Sequence, residues 1–88
     1  MAKVYSRTQP FFTYRAIIEP DEGNAFHAYI PALPGCHTWG SSIAQARKHL
    51  REAALLYLAS LTEDKARIPQ EEGFEFVETF SADEVKTA

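Results

Sequence analysis

The spacing of the apolar residues changes at Gly40, and this change limits the folds that the chain can adopt. Before Gly40, apolar and polar residues alternate over 12–19, 25–30 and 36–39, which is the two-residue period of half-buried strands. After it, apolar residues recur at spacings of three and four over 43–61, which is typical of one long amphipathic helix. The sequence therefore predicts three strands followed by a helix that covers one face of their sheet.

Turn-forming residues separate these segments and fix the order of the elements. The run from Pro20 to Asn24 predicts a hairpin between the first two strands, and Leu33-Pro34-Gly35 predicts a second turn before the third. Ser42, with Gln45 three residues later, predicts a capping box at the start of the helix.

A fourth strand is predicted over 74–80, where phenylalanines alternate with Glu, Val and Thr. The expected class is α+β with the order β-β-β-α-β, a four-stranded, mostly antiparallel sheet with one helix on one face. A right-handed crossover through the helix would place strand four beside strand one, in parallel. We expect a flexible leader over 1–10, the folded domain over 11–80 and a polar tail over 81–88.

Composition excludes several classes of protein. The 88 residues are 45% hydrophobic and carry nine basic against twelve acidic side chains, which gives a net charge of −3. A surface that is basic throughout, as nucleic-acid-binding domains often have, does not fit this balance. Cys36 is the single cysteine, so the chain has neither an internal disulfide nor a Cys-rich zinc site. Its apolar runs are far shorter than the roughly 20 residues that span a bilayer, and we expect a cytoplasmic protein.

Between Tyr14 and Leu61 the sequence resembles the HicB-type antitoxin domain. The similarity lies in YRAIIEPDEG over 14–23, YIPALPGCHTWG over 29–40, SIAQA over 42–46 and REAALLYL over 51–58. The most specific part is the Leu-Pro-Gly-Cys turn at a fixed distance before a glycine and a capped helix. The stretch covers a little over half of the chain.

This resemblance implies a β-β-β-α-β domain like a stripped-down ribonuclease H fold. It also implies the antitoxin of a prokaryotic toxin–antitoxin pair, whose partner is a small basic HicA-type toxin that cleaves mRNA and is silenced when HicB covers its active site. Many family members carry an added DNA-binding module, and this chain stops about eight residues after its predicted last strand. We therefore expect no specific DNA binding by this chain alone, and an orphan interaction domain without a toxin stays open as an alternative.

The sheet face that the helix leaves uncovered is the predicted partner-binding surface, because it is unusually apolar and aromatic for a solvated face. Trp, Tyr and Arg are also the residues that most often anchor binding. This surface can hold a toxin or a second copy in a homo-oligomer, either a dimer or a tetramer. Its residues are Arg15, Ile17, His27, Tyr29, His37 and Trp39.

A second exposed apolar patch is predicted on the outer side of the helix. Leu55 and Ala59 lie four residues apart, away from the apolar stripe, and Leu56 flanks them. We interpret them as an oligomer contact, with scattered surface residues as the alternative.

The sequence predicts no catalytic residue, metal site or cofactor. Cys36 is interpreted as a core residue, and His27 with His37 lacks a metal-binding spacing even if Glu19 or Glu78 is added. A ribonuclease H-like nuclease would need several carboxylates converging on the sheet, which Glu19 and Glu52 do not supply.

Overall fold

The computed structural model describes residues 11–88 and has an α+β architecture. A three-stranded antiparallel sheet packs against one long helix, and a short helix lies near the end of the chain. The elements are β1 (Ile17–Pro20), β2 (Phe26–Tyr29), β3 (His37–Gly40), α1 (Ile43–Glu63) and α2 (Ala82–Lys86). The leader predicted over 1–10 falls outside the described residues.

The sheet is a meander with the order β1-β2-β3, as the turn pattern predicts. Ile17 of β1 pairs with Tyr29 of β2, which in turn pairs with His37 of β3. The first turn is a short 3₁₀ helix, Glu22–Asn24, in which Gly23 has a φ of 69° that glycine adopts without steric cost. The two antiparallel pairings align the strands so that alternate side chains share a face.

Strand β1 begins at Ile17, five residues later than predicted. The reason lies in the residues before it, which bond to the C-terminal part of the chain. The backbone N–H of Arg15 donates to the carboxylate of Glu71 at 3.0 Å, and the hydroxyl of Tyr14 donates to the carbonyl of Pro69 at 2.5 Å. The bond from Arg15 occupies a backbone donor that a longer hairpin would use, and the bond from Tyr14 ties its side chain to the same segment.

The core lies between the sheet and α1. It is built from the side chains that the alternation directs toward the helix, which confirms the predicted facing of strands two and three. Tyr57 of α1 adds a polar link, because its hydroxyl donates to the carbonyl of Pro34 at 2.8 Å. The buried members are Ala28, Ile30, Leu33, Cys36, Ala46 and Leu50.

Helix α1 begins close to the end of β3. The Ser42 hydroxyl caps the helix by accepting the Gln45 backbone N–H at 3.0 Å, as predicted. The other half of the predicted capping box is wrong, since the Gln45 side chain accepts from the backbone N–H and hydroxyl of Ser41 at 2.6 and 2.9 Å. Gly40 is buried against the first turn, where a Cβ would lie 2.7 Å from the Cα of Ala46.

The fourth strand predicted over 74–80 is not part of the described sheet. Its side chains are largely in solvent, with Phe74 94% and Val77 91% exposed. The alternation of apolar and polar residues is present in the sequence. However, Glu71 is bonded to Arg15, and the chain that follows does not run along β1. A three-stranded sheet does not confirm the likeness to ribonuclease H.

The polar tail predicted over 81–88 contains helix α2. Ser81 and Glu84 form a complete capping box, in which each side chain accepts the other's backbone N–H at 3.1 Å. The bond from the Ser81 backbone holds the pKa of Glu84 below its usual value. In the part of the chain that the structure describes, no helix is long and apolar enough to cross a bilayer.

Candidate protein-binding surface

Four rings cluster on the side of the sheet that α1 leaves uncovered. His27 and Tyr29 alternate along β2, and His37 and Trp39 alternate along β3; together we call them the aromatic face. Across the two strands His27 pairs with Trp39, and Tyr29 pairs with His37. The predicted alternation and this register therefore place all four side chains on one surface.

The rings of the aromatic face are packed against one another. His27 is stacked between Tyr29, at 5.3 Å between centroids, and Trp39, at 4.8 Å. His37 meets His27 and Trp39 edge-on at 5.2 and 5.0 Å, and its Nδ1 lies 3.0 Å from Nε2 of His27. Aromatic pairs at such distances stabilise one another, so the surface is ordered before any partner arrives.

Asp21 fixes the orientation of Trp39, a contact that sequence reasoning missed. The indole Nε1–H donates to the Asp21 carboxylate at 2.8 Å, and the other carboxylate oxygen accepts the backbone N–H of Glu22 at 2.8 Å. The bond to Trp39, and then that to Glu22, hold the pKa of Asp21 below its usual value. The acidic turn was visible in the sequence, but the hairpin geometry that brings it to Trp39 was not.

A shallow groove of about 290 Å³ adjoins the aromatic face. It runs from His27, Tyr29 and His37 to the turn that contains Pro34. Trp39 lies at the other end of the aromatic face, and its side chain is 47% exposed. The surface thus combines a projecting ring with a depression, which suits side chains of another protein.

Arg15 and Ile17, predicted on the same surface, lie toward its β1 side. Ile17 pairs directly with Tyr29 and is partly buried. Arg15 is engaged within its own chain, because its Nε donates to Glu71 at 3.0 Å and its Nη1 lies 3.6 Å from Glu75. The guanidinium therefore holds the C-terminal segment and is only partly free to meet a partner.

Glu71 is the centre of this attachment. Its carboxylate accepts the backbone N–H groups of Arg15 and Gly73 and the side chain of Arg15. These bonds, the backbone bond from Arg15 first, lower the pKa of Glu71 from 4.5 to about 2. Three donors on one carboxylate favour its charged form strongly.

We expect the Glu71 attachment to be lost in acid. A carboxyl whose folded-state pKa is about 2 and whose ordinary pKa is 4.5 stabilises the fold fully above pH 4.5. That stabilisation declines as the pH falls from 4.5 through 2. The free energy of unfolding of Glu71→Gln should therefore lie below that of the parent at pH 7 and approach it near pH 2. Urea unfolding across this range measures the difference, and Glu72→Gln is the control; equal curves for the parent and Glu71→Gln at pH 7 would contradict the assignment.

The helix patch predicted at Leu55, Leu56 and Ala59 is exposed. Leu55 is 56% and Leu56 is 74% exposed, and Ala59 is exposed beside them. Helix α1 covers the other face of the sheet, so this patch and the aromatic face lie on opposite sides of the domain. The structure brings neither into contact with the other.

The side chains considered for catalysis do not assemble into a reactive site. Cys36 is buried, and burial raises the pKa of its thiol, which disfavours the reactive thiolate. Across residues 11–88, no three His, Cys, Asp or Glu side chains converge as metal ligands would. His49, for which the sequence suggests no partner, donates from Nδ1 to the carbonyl of Trp39 at 2.7 Å.

Comparisons with known proteins match the family that the sequence resembles. A family model described as the HicB_like antitoxin of bacterial toxin-antitoxin systems matches residues 14–84. The chain belongs to the HicB-like antitoxin family. Membership of this family indicates a role in a toxin–antitoxin system, a toxin as the partner, and a function that is not enzymatic.

Individual relatives are similar over most of this HicB-like chain. A UPF0150 protein of Synechocystis is 31% identical over 61 residues, which are 69% of this chain and 77% of that protein. A UPF0150 protein of Helicobacter pylori is 42% identical over 50 residues, 57% of this chain and 68% of the relative. Among solved structures, the N-terminal domain of the Burkholderia pseudomallei antitoxin HicB matches with a TM-score of 0.54 and 28% identity. The match covers 80% of this chain and 75% of that one.

Proposed function

We propose that this HicB-like protein is an antitoxin that binds and neutralises a small, basic, mRNA-cleaving toxin of the HicA type. The observation that carries the proposal is the aromatic face, an ordered cluster of rings on an uncovered side of the sheet. Ordered aromatic side chains lose little entropy on binding, which is why they are frequent anchors in interfaces. Trp39 is the strongest anchor because it is large, half exposed and held by Asp21.

The net negative charge of this chain also favours a basic toxin as its partner. A toxin that approaches RNA carries basic residues, and this chain has a net charge of −3. Asp21 and the exposed Glu19 border the aromatic face, because Glu19 pairs with His27 in the sheet. Opposite charges at the border accelerate encounter, and the desolvated rings then hold the complex together.

Several finer properties belong to the same proposal. The protein acts in the cytoplasm and forms a homo-oligomer, a dimer or a tetramer. It binds no DNA sequence specifically by itself, because its net negative charge opposes the electrostatic part of DNA binding. A homo-oligomeric domain without a toxin is the second candidate, favoured by the apolar side chains that residues 74–80 expose.

The decisive experiment begins with co-purification from the native host and continues with a binding titration. We expect a small basic protein in stoichiometric amount, and Trp39→Ala should weaken its binding by about 2 kcal/mol or more, roughly 30-fold. Raising the salt concentration should slow association more than it speeds dissociation.

The control for this titration is Val85→Ala, an apolar side chain that is 65% exposed on α2, away from the sheet. It should bind as the parent does, and circular dichroism should show that both variants are folded. If folded Trp39→Ala binds as tightly as the parent, the aromatic face is not the toxin site. The helix patch at Leu55, Leu56 and Ala59 would then be the site to test. Absence of any small basic partner would favour the orphan domain.

A further inference from the structure

Residues 74–80, which we call the apolar segment, have the pattern of a strand but no sheet around them. Phe74 is 94% exposed, Phe76 76%, Val77 91% and Phe80 69%. The phenylalanines of the segment alternate with other residues, as on a strand with one apolar side. Such contiguous apolar exposure usually marks a surface that is covered in the working protein.

Of the two edges of the sheet, the β1 edge is more open to another strand, because α1 covers part of the β3 edge. On the β3 side, the His49 side chain of α1 donates a hydrogen bond to the carbonyl of Trp39, and the first turn of α1 packs closely against Gly40. Strand β1 lies at the other edge and has a partner, β2, on one side only within the described sheet. The unpaired backbone groups of β1 are therefore the natural acceptor for an added strand.

The apolar segment leaves its own domain beside the start of β1. Pro69 is bonded to Tyr14, and Glu71 to Arg15, just before β1 begins. Beyond Gly73 the apolar side chains are largely in solvent, and this part of the chain is not paired in the described sheet. The segment thus starts at the correct edge of the sheet but does not lie along it.

We propose that the apolar segment pairs with β1 of a second copy of this chain, and that the two copies exchange their segments reciprocally. Each sheet then gains the fourth strand that the sequence pattern predicts, supplied by the partner. This inference rests on the homo-oligomer proposed above and is independent of the toxin.

A second copy fits the segment better than an unrelated protein does. Every copy carries both the donor segment and the open edge, so a two-fold axis satisfies both at once and closes the assembly. A buried aromatic side chain contributes at least about 150 Å², so three phenylalanines per copy supply over half of the roughly 800 Å² per partner in a stable interface.

The test is the mass of the full chain in solution, measured by light scattering and sedimentation at micromolar concentration. We expect a dimer or a dimer-based tetramer for the parent, and at least a tenfold weaker dimer for Phe76→Asp. Ile43→Asp is the matched control, because Ile43 is 59% exposed at the first position of α1, where an acidic residue is well tolerated. It should keep the parent's mass, and circular dichroism should be alike for all three proteins.

Amide hydrogen exchange separates strand pairing from side-chain contact alone. The amides of the apolar segment, and those of β1 that face away from β2, should be protected in the parent and exchange quickly in Phe76→Asp. Amides that bond between β1 and β2 should stay protected in both. A monomeric parent, or a Phe76→Asp dimer of undiminished stability, would overturn the proposal. So would dissociation by Leu56→Asp alone, which would assign the contact to the helix patch. None of these outcomes alters the toxin titration, so the two proposals fail separately.

Discussion

Leu33→Ala should lower the free energy of unfolding by about 3 kcal/mol, because it removes the largest fully buried side chain of the core. Leu33 is 1% exposed and lies in the turn between β2 and β3, where the space left by its side chain has few ways to collapse. Urea unfolding followed by circular dichroism measures the change. In a domain of this size such a loss is a large part of the total stability.

The matched control is Leu56→Ala, which removes the same atoms from a side chain that is 74% exposed. It should change the free energy of unfolding by less than about 0.5 kcal/mol. Similar losses for the two variants would show that Leu33 is not a core residue. The expected contrast would establish that the Leu-Pro-Gly-Cys turn serves the fold, since its backbone also bonds Leu33 to Ile30 at 3.0 Å and Cys36 to Leu33 at 2.9 Å.

Gly40→Ala should destabilise the protein by about 3 kcal/mol through a steric clash. An added Cβ would meet the backbone of α1, at 2.7 Å from the Cα of Ala46 and 2.9 Å from the carbonyl carbon of Gln45. Backbone atoms of a capped helix cannot rotate aside as a flexible side chain can. The helix would have to shift away from β3 and partly uncover Ala46, which is fully buried.

Gly35→Ala is the matched comparison, because it adds the same methyl group at a position where no other atoms are close. Gly35 has a φ of 83° and no atom within 4 Å of an added Cβ, so only its left-handed backbone resists the change. That resistance is worth roughly 1–2 kcal/mol. Thermal and urea unfolding of the two variants should rank Gly40→Ala as the less stable, and the reverse order would refute the close contact between β3 and α1.

Local patterns predict most of the domain. The alternation in strands two and three fixes which side chains meet the helix, and the structure buries Ala28, Ile30 and Cys36 as expected. The limits of α1 follow from its Ser42 cap and its apolar stripe. These features could be predicted because each depends on residues close together in the chain.

Features that depend on distant residues were missed. The predicted first strand is too long because the sequence does not show that Glu71 bonds to Arg15, 56 residues away. The same attachment diverts the chain before the fourth predicted strand. At the binding surface, the alternation identifies which rings share a face, but not that Asp21 holds Trp39 or that Arg15 is engaged. That these residues bind a partner stays a prediction.

The hydrogen bond from His49 to the carbonyl of Trp39 also bears on how the protein resists aggregation. Exposed sheet edges are where folded domains stack side by side into fibres, and charged, bulged or covered edges prevent such growth. Here the His49 side chain of α1 bonds to the carbonyl of Trp39 on β3, next to the aromatic face. The exposed rings of that face would otherwise favour stacking against another molecule. The imidazole of His49 thus removes one unpaired backbone acceptor from the β3 edge and leaves fewer groups there for the edge of another sheet to bond.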